Sequence, residues 1–123
     1  MHLCRYAKVP DGAKCLLVLP FWSNKIFHCG KTIEIRSKPT HYRGVVWVVE
    51  SGSWFISGKF DLYDCEGPLS EARWEELRSR HLVAGKRYYG TSTYAYSLRD
   101  ARRVTGIPCA HTTEVTWVIW RSL

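Results

Sequence analysis

Lys31, Glu34 and Arg36 fall within one heptapeptide, Gly30-Lys31-Thr32-Ile33-Glu34-Ile35-Arg36. An amine, a carboxylate and a guanidinium this close together can grip an anion, read the hydrogen-bonding edge of a base, or move a proton. Lys31 and Arg36 suit a phosphate or a base edge. Glu34 suits an exocyclic amine, as carboxylates do with cytosine. In an enzyme, Lys31 with a depressed pKa would activate water or attack, and Glu34 would shuttle the proton. The competing reading is a solvated i,i+2 ion pair on an exposed sheet face.

The heptapeptide must be extended for this to work. Its pattern has period two, with Ile33 and Ile35 on one face and Thr32, Glu34 and Arg36 on the other. Gly30 permits an unusual backbone angle at the entry, and Lys31 sits at the strand mouth. Ahead of it, Cys15–Leu19 reads as a first buried strand. Ser23 is a candidate cap for one or two helical turns through His28, which would turn Ile26 and Phe27 inward. Gly30 would end that helix.

The loop 37–43 carries Lys38, His41, Tyr42 and Arg43, types suited to phosphate contact and stacking. Val45–Val49 is apolar on both faces, the mark of a fully buried strand. Trp54–Tyr63 reads as its hairpin partner, with Gly58 marking a bulge or tight corner. Ser70–Arg80 reads as a helix, capped by Ser70 and stapled by Leu69 and Trp74. Trp74, Leu77 and His81 share its core face, which makes His81 a packed residue rather than a catalyst.

Gly85-Lys86-Arg87-Tyr88-Tyr89-Gly90 reads as a flexible basic-aromatic loop able to cradle phosphate and stack a base. Tyr94, Tyr96 and Leu98 alternate on a strand, with Arg99, Arg102 and Arg103 clustered at its end. Ile107-Pro108 reads as a bend, and residues 115–120 as the closing strand.

Composition sets outer bounds. The 123 residues suit one domain with a real core: a lead-in over 1–14 and a domain over 15–123. Eighteen Lys and Arg against eleven Asp and Glu give +7, which favours an anionic partner over none. The five cysteines are odd in number and lack the C-x-x-C spacing of a thiolate metal site, so neither a disulfide framework nor a bound metal is expected. Cys15 and Cys29 read as small packed hydrophobes. No signal-peptide or bilayer-length apolar run is visible. The expectation is a soluble protein of a reducing compartment, cytoplasmic or nuclear, needing no cofactor and no membrane.

Several blocks resemble one family in order. They are Leu19-Pro20-Phe21-Trp22 and Ile26 before the heptapeptide, then Tyr42-Arg43-Gly44. Tyr94-Ala95-Tyr96 with Leu98-Arg99-Asp100-Ala101 follows, and last Ile107-Pro108, His111 and Trp117. Together they resemble the ASCH (activating-signal-cointegrator homology) family over roughly residues 15–121. The resemblance implies an α+β, mainly β fold: a small β-barrel similar to the PUA fold, with one or two flanking helices and an association with RNA binding. It implies a cleft beside the heptapeptide, occupied by nucleic acid or a nucleoside. One branch of the family hydrolyses the acyl group of N4-acetylcytidine, and other members cleave RNA. Lys31 matches the lysine of those hydrolases. Where they typically have threonine this chain has Glu34, which removes the expected hydroxyl.

Two functions from different classes follow. The first is a module binding RNA or a modified nucleotide, with DNA the lesser alternative. Lys31, Glu34 and Arg36 would contact the occupant, Trp22, Tyr88 or Tyr94 would stack, and Arg43, Lys86, Arg87, Arg99, Arg102 and Arg103 would follow phosphates. The second is a hydrolase in the same cleft, an amidohydrolase through Lys31 and Glu34, or a ribonuclease with His41 or His111 as base. A protein-interaction domain meeting an acidic partner stands third.

Overall fold

The computed structural model describes residues 12–108 and 116–117 of the chain. Cys4, Tyr6, the turn at Pro10-Asp11, Cys109, His111 and most of the expected closing strand lie outside them.

Six strands form one sheet in the order β2-β5-β4-β3-β1-β6. They are β1 (Lys14–Val18), β2 (Ile33–Arg36), β3 (Gly44–Glu50), β4 (Phe55–Glu66), β5 (Tyr94–Pro108) and β6 (Thr116–Trp117). β1 runs parallel to both β3 and β6, and the other neighbours are antiparallel. The sheet curls into a half-barrel around Leu16, Val46, Val48, Phe60, Tyr96 and Leu98. Ala13 is already buried and Lys14 already paired, so the ordered sheet starts a residue or two before position 15.

The helix α1 (Pro20–His28) follows β1 directly. It begins three residues before Ser23. Pro20 occupies the first turn, where its missing N–H costs nothing, and the Leu19 carbonyl accepts from the Trp22 and Ser23 amides at 3.0 Å. Ser23 is inside the helix, its hydroxyl donating to Glu50 at 2.9 Å. Ile26 is buried and Phe27 half-buried. Gly30 leaves the helix at φ 79°, and the Lys31 amide returns to the Lys25 carbonyl at 3.1 Å. Cys29, at the C-terminal cap of the helix, is exposed rather than packed.

β3 and β4 form the expected hairpin, with Val46 opposite Phe60 and Val49 opposite Ile56. β4 extends on to Glu66, and Trp54 precedes it at φ 61°. Gly58 sits where the β4 register shifts against both neighbours. A Cβ there would meet the Phe27 ring and the Arg102 carbonyl, so the bare backbone lets α1 plug the end of the barrel.

The helix expected over 70–80 is two short ones, α2 (Glu71–Glu76) and α3 (Arg78–His81). The Ser70 hydroxyl accepts from the Arg73 amide at 3.0 Å, as a cap should. The chain breaks at Leu77 (φ −95°, ψ 4°), and the break leaves Trp74, Leu77 and His81 all buried. β5 is the largest departure. Ile107 and Pro108 do not bend away but pair with Ile56 and Phe55. Arg99, Arg102 and Arg103 therefore lie along a strand, not past its end.

Replacing Gly58 by Ala is expected to lower stability by about 1–3 kcal/mol, because backbone as well as a ring must move. The shift of the urea unfolding midpoint measures it.

Candidate functional site

β2 is buried on both faces. Ile33 and Ile35 pack beneath the helical hairpin with Trp74, Leu77 and Val83. Glu34 and Arg36 point the other way, into the seam between β2 and β1. A solvated ion pair is therefore not what forms: Glu34 and Arg36 are each 5 % exposed.

Arg36 crosses the seam. Arg36 donates to Glu34 Oε2 through Nε at 3.1 Å and through Nη2 at 2.8 Å. The same Nη2 donates to the Leu17 carbonyl on β1 at 2.6 Å. Charge-assisted bonds of this kind are what makes burial of a guanidinium tolerable.

Lys31 does not swing freely at the strand mouth; it is 2 % exposed. Its Nζ donates to the His81 carbonyl at 2.5 Å, lies 4.5 Å from the centre of the Trp22 ring and 3.8 Å from Glu34 Oε1. Burial lowers its pKa from 10.5 to about 8, against the pull of Glu34 and with a smaller push from Arg36. Glu34 Oε1 accepts no hydrogen bond from the described residues. One carboxylate oxygen is thus fixed by Arg36, and the other faces Lys31.

These groups form the floor of an open cleft of about 90 Å³. Its walls are Leu17, Leu19, Ile35 and Val83, with Trp22, Tyr88 and Tyr89. The space suits a few waters, or the leading edge of a planar ring that stays partly outside. Tyr88 is 68 % exposed at the rim and meets Tyr89 edge-on at 4.8 Å. Burial raises the Tyr89 phenol above its ordinary pKa, keeping it a donor.

The cleft gathers Lys31, Glu34, Arg36, Trp22 and Tyr88. The remaining expected residues are elsewhere. Arg43 is exposed on the loop after β2, donating to the Thr40 and Tyr42 carbonyls. Lys86 is exposed, and Arg87 is tied to the Leu69 carbonyl and to Glu71. The Gly85 carbonyl accepts from Trp74 and Arg78, so the basic-aromatic loop is anchored rather than loose. Tyr94 packs against the barrel interior. Arg99 pairs with Asp61 at 2.7 Å and lies over Tyr63 at 4.7 Å. His41 is exposed, and no histidine lines the cleft among the described residues. Nor do any three His, Cys, Asp or Glu there group as a metal site would need.

Sequence reasoning missed Leu17, Leu19, Val83 and Tyr89 as cleft walls, and the His81 carbonyl as the partner of Lys31. The adjacent tyrosines were a signal for Tyr89. A main-chain carbonyl fifty residues away leaves no signal in a sequence.

No family model matches the sequence, and no curated protein matches it. Solved structures do. The chain is similar to the crystal structure of an ASCH protein from Zymomonas mobilis, at 18 % identity and a TM-score of 0.65, covering 79 % of this chain and 74 % of that one. A Tyr-to-Phe mutant of the same protein matches at 18 % identity and 0.66, covering 79 % and 76 %. A Ser-to-Ala mutant matches at 17 % and 0.64, covering 83 % and 78 %. At such identity the likeness speaks for the fold alone. The chain has the ASCH fold, a small PUA-like half-barrel with flanking helices.

Proposed function

We propose that this chain is a nucleic-acid-binding module whose cleft takes one base of RNA, or a single modified nucleotide. The observation that carries this reading is the pairing of an aromatic-walled cleft, deep enough for the edge of a planar ring, with a floor of fixed charges. Tyr88 and Trp22 offer faces for stacking. Glu34 Oε1 is an acceptor left open for an exocyclic amine. Lys31 and Arg36 outnumber Glu34 and favour an anionic or electron-rich occupant. The exposed cations Lys38, Arg43 and Lys86, which form no ion pair among the described residues, are available to phosphates beyond the cleft.

Titration with labelled single-stranded and structured RNA at several salt concentrations tests this. Saturable binding is expected, with log affinity falling linearly in log salt and the slope counting phosphates. Absence of binding at low salt would overturn the reading. Glu34→Gln is expected to weaken binding at least about tenfold, because it removes a base contact and also the carboxylate charge that holds Arg36.

One observation favours hydrolysis as a second reading: the Lys31 amine, with its pKa near 8, beside a carboxylate. A neutral amine can act on water or on an acyl carbon, and Glu34 can relay the proton. The two readings differ in sign with pH. Binding through the ammonium weakens as pH rises through about 8, because the cation is lost. Turnover through the neutral amine rises over the same range. Binding of a cytidine oligonucleotide and hydrolysis of an N-acylated cytidine, both followed from pH 6 to 10, separate them. In the hydrolase reading Glu34→Gln abolishes turnover, a loss far larger than its effect on binding.

A further inference from the structure

His81 lines no part of the cleft, yet both of its ring nitrogens are committed. The Val83 amide donates to Nδ1 at 2.9 Å. Nδ1 must then be unprotonated, which places the ring proton on Nε2, 3.0 Å from the Trp74 carbonyl that accepts it. The ring stacks on the Trp74 indole at 3.9 Å, and the indole N–H donates to the Gly85 carbonyl at 2.8 Å. One imidazole thus fastens the end of α3 both to α2 and to the turn that follows. Leu82 makes that turn at φ 61°, a conformation that a side chain adopts only when its surroundings hold it.

The main-chain carbonyl of this same residue is what holds Lys31 Nζ. The amine has no other close hydrogen-bond acceptor among the described residues, since Glu34 Oε1 stands at 3.8 Å. The charged groups facing the ring are Lys31 and Arg78, which disfavour a second proton on it, and Glu75, which favours one. Burial is the largest effect and keeps the ring neutral.

We propose that His81 is the positioning residue for Lys31: its neutral ring fixes the end of the α2–α3 hairpin, and its own carbonyl thereby sets the amine in the cleft. A proton on Nδ1 would turn the acceptor of the Val83 amide into a donor facing a donor. The turn would then open, and the Lys31 amine would lose its anchor. The proposal deepens the cleft reading above and concerns the same lysine, but the coupling exists without any ligand.

The test uses the ligand-free protein with ¹³C-labelled lysine. The Lys31 Cε resonance is followed from pH 4 to 11 in wild type, His81→Phe and His81→Asn. Phe keeps the stack on Trp74 and removes both hydrogen bonds. Asn keeps an acceptor for the Val83 amide and does not titrate. In wild type, Lys31 is expected to titrate near 8. It should also take a smaller step at the acid pH where the His81 ring itself protonates, read from its own resonances. In His81→Phe the midpoint is expected to climb by about one pH unit or more toward the ordinary lysine value, as the amine finds water. In His81→Asn it is expected to stay near the wild-type value, with no acid step.

A His81→Phe midpoint that stays or falls overturns the proposal, because the amine then keeps its place without the ring's bonds. An Asn midpoint that moves as far as Phe's does so too. An RNA titration of the same samples separates the two readings. RNA that never binds removes the proposed function and leaves the Lys31–His81 coupling standing. RNA that binds wild type and His81→Phe equally, with the Lys31 midpoint unmoved, removes the coupling alone.

Discussion

Glu34 lies between two cations in a space nearly closed to water, and the local structure depends on its charge. Removing an ion from water costs several kcal/mol even after relaxation. The carboxylate offsets that cost for Arg36 through two hydrogen bonds to a single oxygen. Without it, a guanidinium that donates to the Leu17 carbonyl and an ammonium that donates to the His81 carbonyl would share the seam with no negative charge between them. Two positive groups and one negative group remain in the described cleft. Its floor is therefore a place where an incoming electron pair or negative charge improves matters, whatever molecule brings it.

The scaffold around this floor is made of elements that each do one thing. α1 presents the Trp22 ring to Lys31 and is seated by Phe27 over the bare backbone of Gly58. The helical hairpin covers Ile33 and Ile35, fixing which way β2 faces, and supplies the His81 carbonyl. Its surface is charge-balanced: Arg73 pairs with Glu66 and Glu76, Arg78 with Glu75, and Arg87 with Glu71. Among the described residues, the cations that form no ion pair include Lys14, Lys38, Arg43, Lys59 and Arg102 on the barrel and its loops, and Lys25 and Arg80 on the helices.

The fold was legible wherever local pattern decides it. The period-two alternation of β2, the apolar run of β3, the bulge at Gly58 and the Ser70 cap are all written in adjacent residues. Failures came where distant contacts overrule local signals. Ile107-Pro108 looks like a bend until Phe55 and Ile56 are there to pair with it. Ser70–Arg80 looks like one helix, yet the structure divides it at Leu77 with the same core face kept buried. At the site, the motif residues were found because they are contiguous. The scattered cations were grouped on residue type alone, and type does not reveal that Arg87 and Arg99 already have carboxylates of their own. Nor does it reveal that the loop after α3 is pinned through the carbonyl of Gly85.

The edge strand β2 touches β1 across the open side of the half-barrel through the guanidinium of Arg36, not through a ladder of main-chain bonds. A side-chain clasp of this kind differs from a zipped pair of strands. It can let go and re-form without unthreading the sheet, since the ladder of β2 with β5 stays intact on the other side. Whatever enters between Leu17 and Arg36 therefore meets side-chain hydrogen bonds among the charged groups of the cleft, and leaves the main-chain ladders of the sheet untouched.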